Sequence, residues 1–364
     1  MLHRAFSLAC VFFAFFGFTV ATPECVQRSY PYGPDPNMVC VCNSTYCDTI
    51  EALGTIASGT AVLYQTALYS GKRMDKSTMS FSSFPNAPVL TFDASTAYQQ
   101  IIGFGGAFTD AAGINIASLP QGAQDLLMQQ YFGPSGTEYT IGRVPIASTD
   151  FSTRIYSYDD TPGDFALSDF ALAQEDFDYK IPYIQQAMQM QANSGGIKLF
   201  ASPWSAPGWM KTNGNMSGAG ALLSGASYSS SYANYFVKFF EAYHNQSIDF
   251  WGVTIENEPS FGLDPTHWQA MYFSAENERD FLKGYLGPAI KGADVSKNVN
   301  IMILDDQRTF LPTFADIVLA DPVAANYTAG IGIHWYFDPA APASLLTQTY
   351  NNHPDKFMLG TEVG

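Results

Sequence analysis

Residues 250–258 read Phe250-Trp251-Gly252-Val253-Thr254-Ile255-Glu256-Asn257-Glu258, a short apolar run that ends in three polar residues. A run this short suits a buried strand better than a helix. The same form recurs at Gln100–Phe108, Tyr139–Ala147, Ile197–Trp204, Asn300–Asp306, Gly330–Phe337 and Lys356–Glu362. Longer amphipathic stretches separate these runs. Tyr232, Tyr235, Phe236, Phe239, Phe240 and Tyr243 recur at helical spacing and form one apolar stripe, which reads as core packing. Leu282 to Ile290, preceded by Glu276-Asn277-Glu278-Arg279, reads as a second such helix. Strands alternating with helices predict an α/β fold with a parallel sheet.

Seven such units follow one another with no linker, low-complexity tract or repeat between them. That favours a (β/α)8 TIM barrel over a doubly wound sheet. A closed barrel takes eight strands. The eighth is therefore expected either from the N-terminal segment or from sequence beyond Gly364, and residues 100–364 read as a barrel domain cut before its last strand. Residues 22–99, with candidate strands at Thr60–Leu68 and Val89–Phe92, read as a cysteine-containing β segment belonging to accessory β domains.

Residues 1–21 have the form of a secretory signal peptide. Arg4 supplies the positive start, Leu8 to Val20 is almost wholly apolar, and Thr19-Val20-Ala21 offers a small-residue cleavage site. The apolar run falls short of the roughly 20 residues of a membrane-spanning helix. Cys10 would leave with the signal, and Cys25, Cys40, Cys42 and Cys47 remain clustered near the new N-terminus. An even cluster in an exported chain implies two disulfides, and joining Cys40 to Cys42 is the least favourable pairing. No histidine accompanies the cluster, which argues against a zinc site. Asn43, Asn215, Asn245 and Asn326 begin Asn-x-Ser/Thr triplets and are candidate glycosylation sites. A net charge of −16 argues against nucleic-acid binding and against electrostatic docking on anionic membranes.

The C-terminal ends of barrel strands carry the active site in this architecture, and the polar residues gather there. They are Arg143 and Asp150, Ser202 and Trp204, Asn257 and Glu258, Asp305 to Arg308, His334 and Tyr336, and Glu362. Two carboxylates facing each other across a sugar ring are the minimum equipment for breaking a glycosidic bond, and Glu258 and Glu362 are the candidate pair. Each candidate has a plainer alternative. Glu256 or Glu258 could simply pair with a barrel arginine, Asp305 and Asp306 could cap or salt-bridge, and His334 could orient a neighbour. No HxH or HExxH spacing supports a metal, and no cofactor is expected. Gly103-Phe104-Gly105-Gly106 lacks the third glycine of a dinucleotide-binding turn and reads as close backbone packing at the barrel mouth. Gly-x-Ser-x-Gly is absent, which weakens a serine hydrolase.

Six blocks together resemble the glucosylceramidase branch of glycoside hydrolase family 30, the lysosomal acid β-glucosidases. They begin at Gly103-Phe104-Gly105-Gly106-Ala107-Phe108-Thr109-Asp110 and continue through Arg143 to Ser152, Ala201 to Pro207, Thr254 to Ser260, Leu304 to Arg308 and His334-Trp335-Tyr336. Cys40 to Asp48 resembles the same branch. The resemblance implies a retaining mechanism with Glu258 as acid/base and Glu362 as nucleophile. It implies Asn257, Asp150 and Trp204 as sugar ligands and Arg143 and Tyr336 as groups that hold the nucleophile ionised. It further implies His334 as a site-lining residue, Phe151 and Trp268 as aromatic walls, and disulfides Cys25–Cys40 and Cys42–Cys47. The implied substrate is glucosylceramide at a membrane surface in the lysosomal lumen or outside the cell, with a saposin-like activator protein and anionic lipid as partners. Relatives complete the barrel and a β-sandwich with a segment after the seventh strand. Another family 30 β-glycosidase acting on a polysaccharide or soluble glucoside, and a non-catalytic glycan-binding chain, are the competing readings.

Overall fold

The computed structural model describes residues 27–30, 37–67, 72–81, 93, 95–191, 195–265 and 267–363, without the side chains of 27–30 and 37–40. The expected signal peptide, the strand at Val89–Phe92, Cys25 and the Cys40 side chain lie outside what is described.

The chain opens with two antiparallel pairs. β1 (Gln27–Tyr30) pairs with β2 (Asn37–Cys40), and β3 (Thr60–Ala67) pairs with β4 (Lys72–Ser80). Cys42 and Cys47 form a disulfide just after the first pair. Past residue 100 the order is β5 (Gly105–Ala107), α1 (Asp110–Ala117), α2 (Gln121–Phe132), β6 (Ile141–Ile146), α3 (Ile181–Gln191), β7 (Lys198–Pro203), α4 (Ala226–His244), β8 (Gly252–Thr254), α5 (Ala275–Phe281), α6 (Gly287–Gly292), β9 (Asn300–Gln307), α7 (Thr313–Leu319), α8 (Pro322–Tyr327), β10 (Thr328–His334), α9 (Ser344–Asn352) and β11 (Phe357–Glu362). The strands β5 to β11 make one parallel seven-stranded sheet in strict chain order, each bonded to the next. This is the β/α rhythm expected from the sequence, with seven parallel strands among the described residues.

The helices cover one face of the sheet and bury its larger apolar core. α4 does this with the stripe read from its sequence: Tyr232, Tyr235, Phe236, Phe239, Phe240 and Tyr243 are all buried. The ring centroids of Phe239 and Tyr243 lie 4.6 Å apart, and Phe250 packs against both. Burying a large apolar side chain contributes about 1.5–3 kcal/mol, so this stripe alone anchors the helix. Its tyrosine hydroxyls are partnered, as buried phenols require. Tyr232 donates to Glu256 at 2.9 Å and Tyr243 to Asp176 at 2.7 Å, while Tyr235 accepts the Tyr158 N–H at 3.0 Å. Asp176 also pairs with the buried Lys180 at 2.9 Å. A smaller cluster of Ile141, Phe200 and Met302 fills the opposite face of the sheet. No helix among the described residues is long and apolar enough to cross a membrane.

Candidate active site

The strands end early at the mouth of the sheet. β8 stops at Thr254, so Ile255 to Glu258 leave the ladder, and Glu258 takes a left-handed conformation with φ 45°. Ala147, Leu304 and Asp305 are also left-handed without being glycine. Such residues cost about 1–3 kcal/mol each and persist only where surroundings over-determine them. Here they turn polar side chains toward one another.

Arg143 on β6 is the hub. Its guanidinium donates to Glu362 Oε2, to Asn257 Oδ1 at 2.7 Å, to Asp305 Oδ2 at 2.9 Å and to Ser202 Oγ at 3.2 Å. It also lies 4.7 Å over the Trp204 ring. Burial opposes its charge, but Asp305 and Glu362 outweigh that and keep it cationic. Asp305 is completely buried, which favours its neutral form. Arg143, His334 and Thr254 win, and hold its carboxyl well below the usual range.

Glu362, the last residue of β11, accepts from Arg143 and from the Tyr336 hydroxyl at 2.7 Å. Burial and then this bond push the Tyr336 hydroxyl up, so it remains a donor. Glu258 accepts from Gln307 Nε2 at 2.7 Å and faces His334 Nδ1 at 3.0 Å, both on Oε1. His334 Nε2 faces Asp305 Oδ1 at 3.2 Å. Burial pulls the imidazole down, but Asp305 and Glu258 raise it to about 9, so the ring donates through both nitrogens. One donor atom from each of Glu258, His334 and Glu362 lies within 4.8 Å of the others. The atom types could hold a metal ion, but binding one would require the ring to give up a proton first.

A cleft of about 640 Å³ is lined by Arg143, Asp150, Phe151, Trp204, Tyr336 and Glu362 among others. Asn257 reaches it through Arg143, and one atom each of Glu258 and His334 lies within 4.8 Å of the lining Glu362. Partial burial, then the charges of Glu362 and Glu258, raise the Asp150 carboxyl. Phe151 stands exposed at the rim. The Trp268 ring lies 6.3 Å from that of Phe261. Cys47 is bonded to Cys42 as expected. Asn43, Asn215, Asn245 and Asn326 are all exposed. The Asn43 side chain accepts the Thr45 N–H at 2.8 Å within its turn.

Sequence reasoning gave Ser202 and Gln307 no role beyond their place at a strand end, and passed over Thr254. Thr254 donates to Asp305 at 2.6 Å, Ser202 bonds Arg143, and Gln307 fixes Glu258. Gln307 lies in the polar strand end Asp305 to Arg308, so the signal for it was position rather than chemistry.

A model of the glycosyl hydrolase family 30 TIM-barrel domain matches residues 101–364. Putative glucosylceramidase 4 of Caenorhabditis elegans is 51% identical over 97% of this chain and 68% of its own length. Lysosomal acid glucosylceramidase of Mus musculus is 43% identical over 93% of this chain and 65% of its own length. Among solved structures, an endo-β1,6-glucanase matches at a TM-score of 0.70 and 28% identity, covering 80% of this chain and 63% of that one. The chain thus spans about two thirds of the length of the curated relatives it matches.

Proposed function

This chain belongs to glycoside hydrolase family 30, and we propose that it acts as a retaining β-glucosidase, hydrolysing glucosylceramide to glucose and ceramide in an acidic lumen of the secretory pathway. The single observation behind this is the spacing of the two carboxylates. Their nearest donor atoms lie within 4.8 Å, which suits the separation of about 5–5.5 Å for direct attack. An inverting pair, which holds a water between its carboxyls, stands wider, at about 6.5–9.5 Å.

In the first step Glu362 attacks the anomeric carbon. Arg143 and Tyr336 both donate to it and aim it. Glu258 gives a proton to the leaving oxygen. Both of its donors sit on Oε1, which leaves Oε2 to carry that proton toward the substrate. The glucosyl–Glu362 ester is then cleaved by water, with Glu258 taking the proton back. Asn257 spends its Oδ1 on Arg143, so its amide N–H groups are available to the sugar 2-hydroxyl. Trp204 and Asp150 on the cleft wall would hold the other hydroxyls, and Phe151 would flank the entrance.

Glu362→Gly should abolish hydrolysis of a fluorogenic β-glucoside. Added azide should restore fluorophore release, with α-glucosyl azide as product, because azide takes the place of the missing carboxylate. In Glu258→Ala, azide should instead attack the glucosyl-enzyme and give the β-anomer. Undiminished hydrolysis by Glu362→Gly would sink the assignment.

The lipid substrate is supported by the names of the two curated relatives given above. A lysosomal or secreted location, glycosylated asparagines, a membrane-bound substrate and a saposin-like activator with anionic lipid belong to the same proposal. A polysaccharide-directed β-glycosidase is the second reading, favoured by the structural likeness to an endo-β1,6-glucanase. Turnover of β-1,6-glucan but not of glucosylceramide would select it.

A further inference from the structure

β9 changes phase partway along. Ile301 and Ile303 join the core against the helices, while Met302 joins the cluster on the opposite face. Regular alternation would send Leu304 to the face of Met302 and Asp305 to the helix side. Instead Leu304 lies in the helix-side core, and Asp305 reaches Arg143 and His334 at the mouth. The switch occurs where Leu304 and Asp305 adopt φ values of 73° and 52°. There the register against β10 jumps from Gly332↔Leu304 to Ile333↔Asp306, leaving Asp305 as the extra residue of a bulge.

Neither left-handed residue is glycine, so the bulge needs outside support. One support comes from α5. Glu278 is completely buried, and its Oε1 accepts the Leu304 N–H at 3.0 Å. On the other side of the bulge, the Asp305 carbonyl accepts the Glu258 N–H at 2.9 Å. The second Glu278 oxygen has no hydrogen-bond partner among the described residues. A buried acid with an orphan oxygen is a poor choice for stability alone, since an unsatisfied buried acceptor is unfavourable.

We propose that Glu278 is a positioning residue for the glycosidic reaction: its carboxyl oxygen pins the β9 bulge through the Leu304 N–H, and the bulge aims Asp305 at Arg143 and His334 while holding the backbone of Glu258. This rests on the glycosidase reading, but the geometry can be tested apart from turnover. Burial pushes the Glu278 carboxyl up to about 8; the Leu304 N–H opposes the rise and Asp305 and Asp306 add to it. Below that pH the group is neutral and Oε1 serves as a plain carbonyl acceptor.

Glu278→Met keeps the side-chain length without an acceptor, and Glu278→Gln keeps a carbonyl. Nitrogen-15 NMR of labelled histidines reads His334 in the resting protein, and a fluorogenic β-glucoside reads kcat and KM. In the Met variant His334 should fall from about 9 toward its ordinary 6.5, because Asp305 no longer faces it. There kcat should drop at least about tenfold with KM within about twofold, the mark of an interaction that matters in the transition state. The Gln variant should retain both properties. His334 unmoved in Glu278→Met, or Glu278→Gln losing as much as Glu278→Met, overturns the proposal. Should the Met variant not fold, a folded Gln variant without the elevated His334 overturns it equally. A wild type without turnover, whose His334 still responds as expected in the Met variant, would refute the glycosidase reading while the pinned bulge stands.

Discussion

Asp305→Asn removes one negative charge from the centre of the site while keeping its shape. The carboxylate faces His334 at 3.2 Å and accepts from Arg143 at 2.9 Å and Thr254 at 2.6 Å. Against the pull of burial, Asp305 and Glu258 raise His334 from 6.5 to about 9. That gap corresponds to about 3 kcal/mol of preference for the charged ring. An asparagine can keep Arg143 and Thr254 on its carbonyl and turn its amide N–H toward Nε2. The ring would then be neutral, accepting at Nε2 and still donating from Nδ1 to Glu258. His334 should fall to 6.5 or below, because burial acts with less opposition. The sign for stability follows. A cation raised in the folded state stabilises it fully below about pH 6.5, and that contribution is lost as pH rises through about 9. Urea unfolding across this window should therefore show the wild type losing up to about 3 kcal/mol relative to Asp305→Asn, whose stability varies less with pH. Histidine NMR gives the titration directly. A variant with the slope of the wild type, or with His334 still near 9, would refute the reasoning.

Tyr336→Phe removes the 2.7 Å bond to Glu362. A hydrogen bond to a charged group contributes about 1.5–3 kcal/mol, so kcat for an activated β-glucoside should fall about 10- to 100-fold. On the proposed retaining mechanism the loss should fall on hydrolysis of the glucosyl-enzyme, and a pre-steady-state burst should appear. Phe239→Ala opens a cavity beside Tyr243 and Phe250 and should cost about 3–5 kcal/mol in urea unfolding. Asp176→Asn leaves the buried Lys180 without its counter-charge. The same measurement should register a loss of about 3–5 kcal/mol, and an unchanged midpoint would count against the pairing.

The central strands were legible because a parallel strand covered by helices must be apolar along its length, whereas Gln100–Phe108 shrinks to the exposed Gly105–Ala107. Strand ends were less legible. Phe250–Glu258 shrinks to Gly252–Thr254 because Glu258 turns left-handed just past it. Residues with polar side chains at a strand end look the same in sequence whether they stay in the ladder or leave it. The bulge in β9 was invisible for a related reason: Leu304 and Asp305 take conformations that glycine would normally announce. The gathering of Arg143, Asn257, Glu258, His334, Tyr336 and Glu362 was readable from position alone, since one end of every strand faces one mouth. Which oxygen of Glu258 is engaged, and that Gln307 engages it, depends on side-chain directions no spacing encodes.

The left-handed residues at the mouth have a consequence for selection. A glycine at position 258, 304 or 305 would sit in its backbone conformation without strain. At 304 it would also empty a core site and at 305 leave Arg143 without a buried partner, so a screen that rewards thermal survival and is blind to turnover should drift toward glycine at 258 alone. At position 258 that drift would erase the carboxyl proposed to donate the proton. In this rim the most durable sequence and the most active one are different sequences, and only a selection applied to both properties would keep Glu258 in place.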